Sequence, residues 1–243
     1  MNLVVDVGNT FVKLAVFEET KLIYKKSSEP SSIQKEIFII KEKFKTIDKA
    51  ILSTVGKLKK DNVIFLKNNF NLLELDKSTK LPFENLYKTP NTLGLDRIGL
   101  VCASVQNYPN KNVLIIDAGT CITYDFINRE NEYLGGAISP GIGMRYKALN
   151  NFTEKLPLLE PELPDNMIGN STNEAIHSGV ILGVLNEIDG VIESYKLIYK
   201  DLTVILTGGD TNFLSKQLKS SIFANSNFLL EGLNYILHFN TNQ

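Results

Sequence analysis

One pattern constrains this chain more than any other, because it occurs twice. Residues 3–14 read LVVDVGNTFVKL and residues 114–125 read LIIDAGTCITYD. In each, three apolar residues lead to an Asp, and a Gly follows two positions later. A strand that ends on Asp6 or Asp117 and returns at once needs a tight reversal. Gly8 and Gly119 supply backbone dihedrals closed to other residues, and they let a ligand approach the main chain. Amides and hydroxyls close by, at Asn9 and Thr10 and in the second copy at Thr120 and Thr123, suit phosphate oxygens. The carboxylate repels phosphate, so an Asp in such a loop implies a cation between the two, either Mg²⁺ or a monovalent ion. Asp-x-Gly is also a common hairpin turn, and either copy alone is satisfied by that description. Two copies, each opening a similar β-β-β run, argue for phosphate binding.

The order of elements repeats around these two points. Strands are expected at Leu3–Val7, Phe11–Phe17 and Leu22–Lys26. A helix over SSIQKEIFIIKEKFK and a short buried strand, AILSTV, follow. NYPNKN (107–112) is polar and turn-rich, and is the expected domain boundary. Strands then recur at Val113–Asp117, Cys121–Ile127 and Tyr133–Ile138, with a helix from about Gly143 to Asn151. LPLLEPELPD is a Pro-rich connector. A long helix begins near Ser171, where Ser171 and Glu174 have capping-box spacing. TVILTGGD reads as a strand running into a glycine turn, and TNFLSKQL and LLEGLNYILHF as closing helices. Asp6 and Asp117 stand 111 residues apart, too long a period for a solenoid. A duplicated domain with a cleft between its halves is expected.

Bulk properties narrow the class. The 243 residues are 43% hydrophobic, enough for one large core or two ordinary ones. The formal net charge of −1 and the absence of a basic stripe give no indication of a nucleic-acid partner. Cys102 and Cys121 match no metal spacing and form no disulfide framework, which fits a reducing cytosol. Asp6 interrupts the apolar start well short of a signal peptide or membrane span. A soluble cytoplasmic protein is expected.

With GLDR (94–97), GGAISPG (135–141) and NSTNEAIHSG (170–179), the paired loops resemble the acetate kinase, sugar kinase, heat-shock chaperone and actin superfamily. Within it, the set is similar to type III pantothenate kinase, from Asp6 to beyond Gly209. The resemblance implies an α/β fold of two duplicated ribonuclease H-like domains, 1–108 and 109–243, with mixed sheets flanked by helices and the active-site cleft between them. It implies phosphorylation of pantothenate by ATP, the first step of coenzyme A biosynthesis, in a homodimer that needs Mg²⁺ and either K⁺ or NH₄⁺.

Carried onto this chain, the resemblance assigns ATP phosphates to Asp6, Val7, Gly8, Asn9, Thr10, Phe11, Val12 and Lys13, with Asp6 holding Mg²⁺ through water. Tyr87, Gly94, Leu95, Asp96, Arg97 and Thr172 would hold pantothenate. Asp96 would accept the proton, Asp117 would bind the monovalent cation and Thr120 would contact the nucleotide. Leu95 is bulkier than the small residue often found in that motif, and the chain is slightly short for the family.

Each residue also has a plainer use. Asp96 would serve equally to cap the helix RIGLVCASV. Arg97 offers a planar fork for a carboxylate, and equally a surface ion pair. Lys13, the one charge within FVKLAVF, either meets an anion or reaches solvent. TGGD (207–210) would seat a nucleotide, or simply turn the chain into a helix. Thr172 lies in a first helical turn, which favours anions but also capping. Tyr87 is equally a core aromatic, and His177 and His238 read as structural. The alternative at the level of function is a nucleotide-binding regulatory protein, such as a transcription accessory factor, of the same fold without kinase activity. A filament or chaperone ATPase would need subdomains for which 243 residues leave no room.

Overall fold

The computed structural model describes residues 1–8, 11–54 and 58–241. In chain order the elements are β1 (Asn2–Val7), β2 (Val12–Glu18), β3 (Lys21–Ser28), α1 (Ile33–Lys43), β4 (Lys49–Thr54), α2 (Lys60–Asn69), β5 (Asn71–Glu74), β6 (Glu84–Asn85) and α3 (Leu95–Asn107). There follow β7 (Val113–Ala118), β8 (Cys121–Ile127), β9 (Glu132–Pro140), α4 (Ile142–Asn151), α5 (Thr172–His177), α6 (Gly183–Ile198), β10 (Thr203–Thr207), α7 (Thr211–Leu214), β11 (Phe223–Ala224) and α8 (Phe228–Thr241). This is a mixed-sheet α/β fold with two sheets flanked by helices. The chain forms two compact units. One comprises Met1–Pro109, Asn131–Tyr133 and Asn227–Gln243; the other comprises Asn110–Glu130 and Leu134–Ser226.

In the first unit the strand order is β3-β2-β1-β4-β5, with β1, β2 and β3 antiparallel and β4 and β5 parallel to β1. Alternation decides the faces. Leu3, Val5 and Val7 of β1 and Val12, Leu14 and Val16 of β2 point into a core with Ile33, Ile37 and Ile40 of α1 and Leu66 of α2. The even-numbered residues of β1, Asp6 among them, take the other face. There Asn2 donates to Asn234 of α8 at 2.9 Å. Helices α3 and α8 cross at backbone contact: a Cβ on Gly232 would stand 1.8 Å from the Gly99 carbonyl oxygen. The sequence-based bounds leave α8 in the second half, whereas its contacts group it with the first. Nothing in LLEGLNYILHF announces which sheet it will cover.

In the second unit β7 pairs antiparallel with β8 and parallel with β10, and β10 pairs parallel with β11. Strand β9 lies beyond β8. Its first residues, Glu132 and Tyr133, count with the first unit and pair there with β6. Leu114, Ile116, Ile122, Tyr124 and Phe126 pack against α4 and the buried face of the long helix.

That helix runs continuously over Thr172–Ile198, as expected, but a π-turn at Ser178–Leu182 interrupts its α geometry. It is long and apolar enough to cross a membrane by length and composition. Its Val184, Leu185, Ile188 and Ile192 are buried in the unit's core. The Ser171 hydroxyl accepts from Glu174 N–H at 3.3 Å, while the Glu174 carboxylate reaches back to the amide of Asn170 at 3.0 Å. This is the expected capping box, extended by one residue. TNFLSKQL shortens to the four-residue α7.

Candidate active site

Asp6 is 4% exposed and sits where β1 enters the first hairpin. It is in register with Lys13 on β2 and Ser53 on β4, and Lys13 is in register with Ser27 on β3. Registered neighbours share a face of the sheet. Ser27, Lys13, Asp6 and Ser53 therefore form one polar row across four strands. Burial pushes the Asp6 carboxyl up to about 6; Lys13 lowers it and Asp96 raises it further. Asp96 is thus close enough for its charge to be felt. Ser53 Oγ is buried without a hydrogen-bond partner among the described residues. Nothing in AILSTV marked Ser53 for attention, because the row exists only once β1 and β4 are paired.

The hairpin closes through Gly8 N–H, which donates to the Phe11 carbonyl at 3.0 Å. Asn9 and Thr10 lie outside the described residues. Of the remaining residues expected to meet phosphates, Val7 and Val12 have side chains wholly in the core and Phe11 is exposed. Both valines are buried in full, backbone included, so neither offers a surface to a ligand, whereas Lys13 is partly exposed.

Gly94 is the N-cap residue of α3, so Asp96 does not cap that helix from outside. It lies in the first turn, where its Oδ1 accepts from the Arg97 amide at 2.8 Å. Gly94 makes this possible, since a Cβ there would fall 2.3 Å from Asp96 Oδ1. Arg97 is 6% exposed, so it is no surface residue, and its guanidinium lies 5.6 Å over the Tyr87 ring. Tyr87 in turn leans on Tyr133, with ring centroids 6.0 Å apart. Leu95 faces an open depression of about 460 Å³ that it shares with Leu75, Asp76, Lys77, Ser78 and Leu93. The first unit therefore links Asp6, Asp96, Arg97 and Tyr87 in a single run.

In the second unit Asp117 is half-buried and in register with Thr123 on β8 and Thr207 on β10. Gly119 N–H donates to the Cys121 carbonyl at 2.9 Å, and Thr120 is exposed at the tip. The TGGD turn presses directly on this hairpin. Gly208 has φ +98°, and a Cβ on it would lie 2.2 Å from the Ala118 carbonyl oxygen and 2.4 Å from Asp117 Oδ1. The Asp210 amide donates to Ala118 O at 3.0 Å, and burial raises the Asp210 carboxyl above its ordinary value. GGAISPG also ends against this hairpin, with Gly141 N–H donating to Thr120 O at 3.1 Å. Thr172 is exposed at the first position of α5. His177 pairs with the Tyr146 hydroxyl at 2.7 Å, and His238 lies 2.9 Å from the Asn2 side-chain amide.

The family model for type III pantothenate kinase matches residues 2–194. A type III pantothenate kinase of Christiangramia forsetii is 53% identical over 243 residues, covering all of both chains. Among solved structures, a putative Baf family transcriptional activator from Campylobacter jejuni aligns over 99% of this chain and 100% of its own, with a TM-score of 0.62 and 24% identity. A putative N-acetylmannosamine kinase from Listeria monocytogenes aligns over 97% and 98%, with a TM-score of 0.55 and 12% identity. At such identities these two establish the fold alone. The match over most of the chain, with full-length identity above half, shows that the chain belongs to the type III pantothenate kinase family.

Proposed function

We propose that this protein transfers the terminal phosphoryl group of ATP to the primary hydroxyl of pantothenate, giving 4'-phosphopantothenate at the entry to coenzyme A biosynthesis. Family membership carries the reaction. The observation that supports it within the molecule is the run from Asp6 through Asp96 and Arg97 to Tyr87. It supplies a carboxylate at Asp96 and, one position on, a buried arginine whose guanidinium lies over Tyr87, the two groups that an alcohol bearing a carboxylate requires.

Phosphoryl transfer passes through a loose transition state, so positioning and charge neutralisation dominate. In this reading Asp96 orients the pantothenate hydroxyl and accepts its proton. Arg97 pairs with the pantothenate carboxylate, its fork stiffened by the Tyr87 ring. Gly94, Leu95 and Thr172 complete the acceptor site. Lys13 and the backbone at Gly8 and Phe11, with Asn9 and Thr10, neutralise and hold phosphate oxygens, Asp6 acts through Mg²⁺, and Thr120 contacts the nucleotide.

The donor set suits a hydrated Mg²⁺: a desolvated Asp6 carboxylate with Asp96 nearby, and the orphaned Ser53 hydroxyl at the same register. When bound, Mg²⁺ neutralises phosphate charge. Asp117 has Thr123 and Thr207 in register, and the Thr123 hydroxyl donates to Asp125 Oδ2 at 3.1 Å; such an oxygen-only surrounding suits K⁺ or NH₄⁺. A homodimer is supported by the apolar side chains that α4 and the following connector leave exposed, including Phe152, Leu158, Met167 and Ile168. A cytoplasmic enzyme without nucleic-acid or membrane partners completes the reading. The regulatory alternative is not favoured, since the family model and the full-length relative are pantothenate kinases.

A coupled assay with pantothenate, ATP, Mg²⁺ and K⁺ tests this. ADP release that requires pantothenate is expected. Salt-dependent DNA binding with no such release would reject the kinase in favour of the regulator.

A further inference from the structure

Three side chains to which the sequence assigned no role, Tyr124, Arg145 and Glu187, are linked around the second hairpin. Glu187 of α6 accepts a hydrogen bond from the Tyr124 hydroxyl of β8 at 2.9 Å and forms an ion pair with Arg145 of α4. Arg145 also donates from Nε to the Pro140 carbonyl at 2.9 Å and from Nη2 to Ser139 Oγ at 3.0 Å. The next residue, Gly141, donates to Thr120 O and packs so closely that a Cβ would lie 2.1 Å from Gly119 O and 2.5 Å from Thr120 O. Tyr124 lies on the strand that leaves Thr120. The contacts therefore form a closed ring: Thr120, Tyr124, Glu187, Arg145, Pro140–Gly141 and back to Thr120. The π-turn at Ser178–Leu182 immediately precedes the helix that carries Glu187.

The ring is built for rigidity. Tyr124 is 1% exposed, and the side chains of Arg145 and Glu187 are 22% and 28% exposed. Burial alone would raise the Glu187 carboxyl, yet hydrogen bonds from Arg145, Ser139 and Tyr124 outweigh it and hold the group below its ordinary value. A planar guanidinium can serve a carboxylate, a carbonyl and a hydroxyl together; an ammonium cannot reproduce that fork. The consequence reaches the hairpin through the peptide plane. A trans peptide points its C=O and N–H in opposite directions. Holding Thr120 O on Gly141 therefore turns the Cys121 amide away from Gly141 and fixes the tip on which Thr120 stands.

We propose that Arg145 and Glu187, with Tyr124 and Ser139, are positioning residues that set the Gly119–Thr120 backbone for nucleotide binding. This rests on the assignment of Thr120 to the nucleotide, and its readout is kept independent of pantothenate turnover. The test compares Arg145→Lys, Glu187→Gln, Tyr124→Phe and Ser139→Ala with the unmodified protein. It measures calorimetric affinity for the Mg²⁺ complex of a non-hydrolysable ATP analogue, the KM values for ATP and pantothenate, and Tm. Arg145→Lys and Glu187→Gln are expected to weaken nucleotide binding and raise the KM for ATP by roughly 10- to 100-fold, as for a lost hydrogen bond to a charged group. Tyr124→Phe and Ser139→Ala should do so by about 2- to 5-fold, and the KM for pantothenate should stay within about twofold. Nucleotide affinity unchanged in folded variants, or equal losses for both substrates, would overturn the proposal. If Glu187→Gln does not fold, the two milder variants decide. Weakened nucleotide binding in a protein that never phosphorylates pantothenate would remove the kinase reading and leave this one standing.

Discussion

The two hairpins start from the same pattern and reach opposite electrostatic environments. In the first, Val7 pairs with Val12, four residues lie between them, and Asp6 faces Lys13. In the second, Ala118 pairs with Ile122, only three lie between, and Asp117 faces Thr123. Asp6 is almost wholly buried, its carboxyl is raised to about 6, and it feels the charge of Asp96. Asp117 is half-buried, has a glycine turn pressed against its carboxylate and stands in register with two threonines. An ammonium opposite an acid suits a site that must neutralise transferring charge. Neutral hydroxyls opposite an acid suit one that retains a weakly held cation. Under the proposed function, one strand-turn-strand device would serve two purposes, with the residue across the ladder choosing between them.

The largest expected effect falls on the first side. Asp96→Asn should lower kcat by roughly 10²-fold or more, the usual worth of a positioned acid or base, while nucleotide binding survives. Near-normal turnover would remove Asp96 from that role.

Copying the second hairpin into the first comes next. Lys13→Thr should cost about 10- to 100-fold in kcat/KM, as for loss of one donor to developing charge. It should also move the Asp6 carboxyl above about 6, because Lys13 is what lowers it. Carbon-13 titration of that carboxyl in the ligand-free protein reads this, and an unmoved midpoint would mean that the two side chains do not interact.

The reverse exchange is expected to be milder. Sodium in place of potassium should slow the enzyme severalfold or more, and Thr123→Lys should abolish the difference by supplying a fixed cation beside Asp117. Equal rates in both salts for the unmodified protein would discredit Asp117 as a cation ligand.

The smallest effect is on stability. An acid raised from 3.8 to about 6 in the folded state binds more protons there than when unfolded. Its ionisation therefore subtracts stability progressively as pH rises through that window. At about 1.4 kcal/mol per pH unit, the cost above pH 6 is on the order of 3 kcal/mol. Asp6→Asn should accordingly raise the Tm of the ligand-free protein by several degrees at pH 7.5 and by almost nothing near pH 4. A gain that does not depend on pH would assign the effect to packing.

Much of this is legible in the sequence because it is local. The two Asp-x-Gly reversals, the helix that opens at Asp96, and the Ser171–Glu174 cap all depend on residues a few positions apart. Backbone dihedrals and apolar periodicity write such features directly into the sequence. The placement of α8 was not legible, since an apolar helical face fits either sheet equally well until Gly99 and Gly232 meet. Nor was Ser53, which gained its place only through the register of β4 against β1.

The amino-acid order by itself determined that two acidic hairpins would form and that a Gly-Leu-Asp-Arg turn would open a helix, because short-range sterics and strand alternation leave little choice. Tertiary structure alone decided what each acid faces, which helix covers which sheet, and that Arg145, Glu187 and Tyr124 close a ring around Thr120. Those outcomes depend on strand register and on contacts between residues 42 and 63 positions apart, which no local pattern encodes.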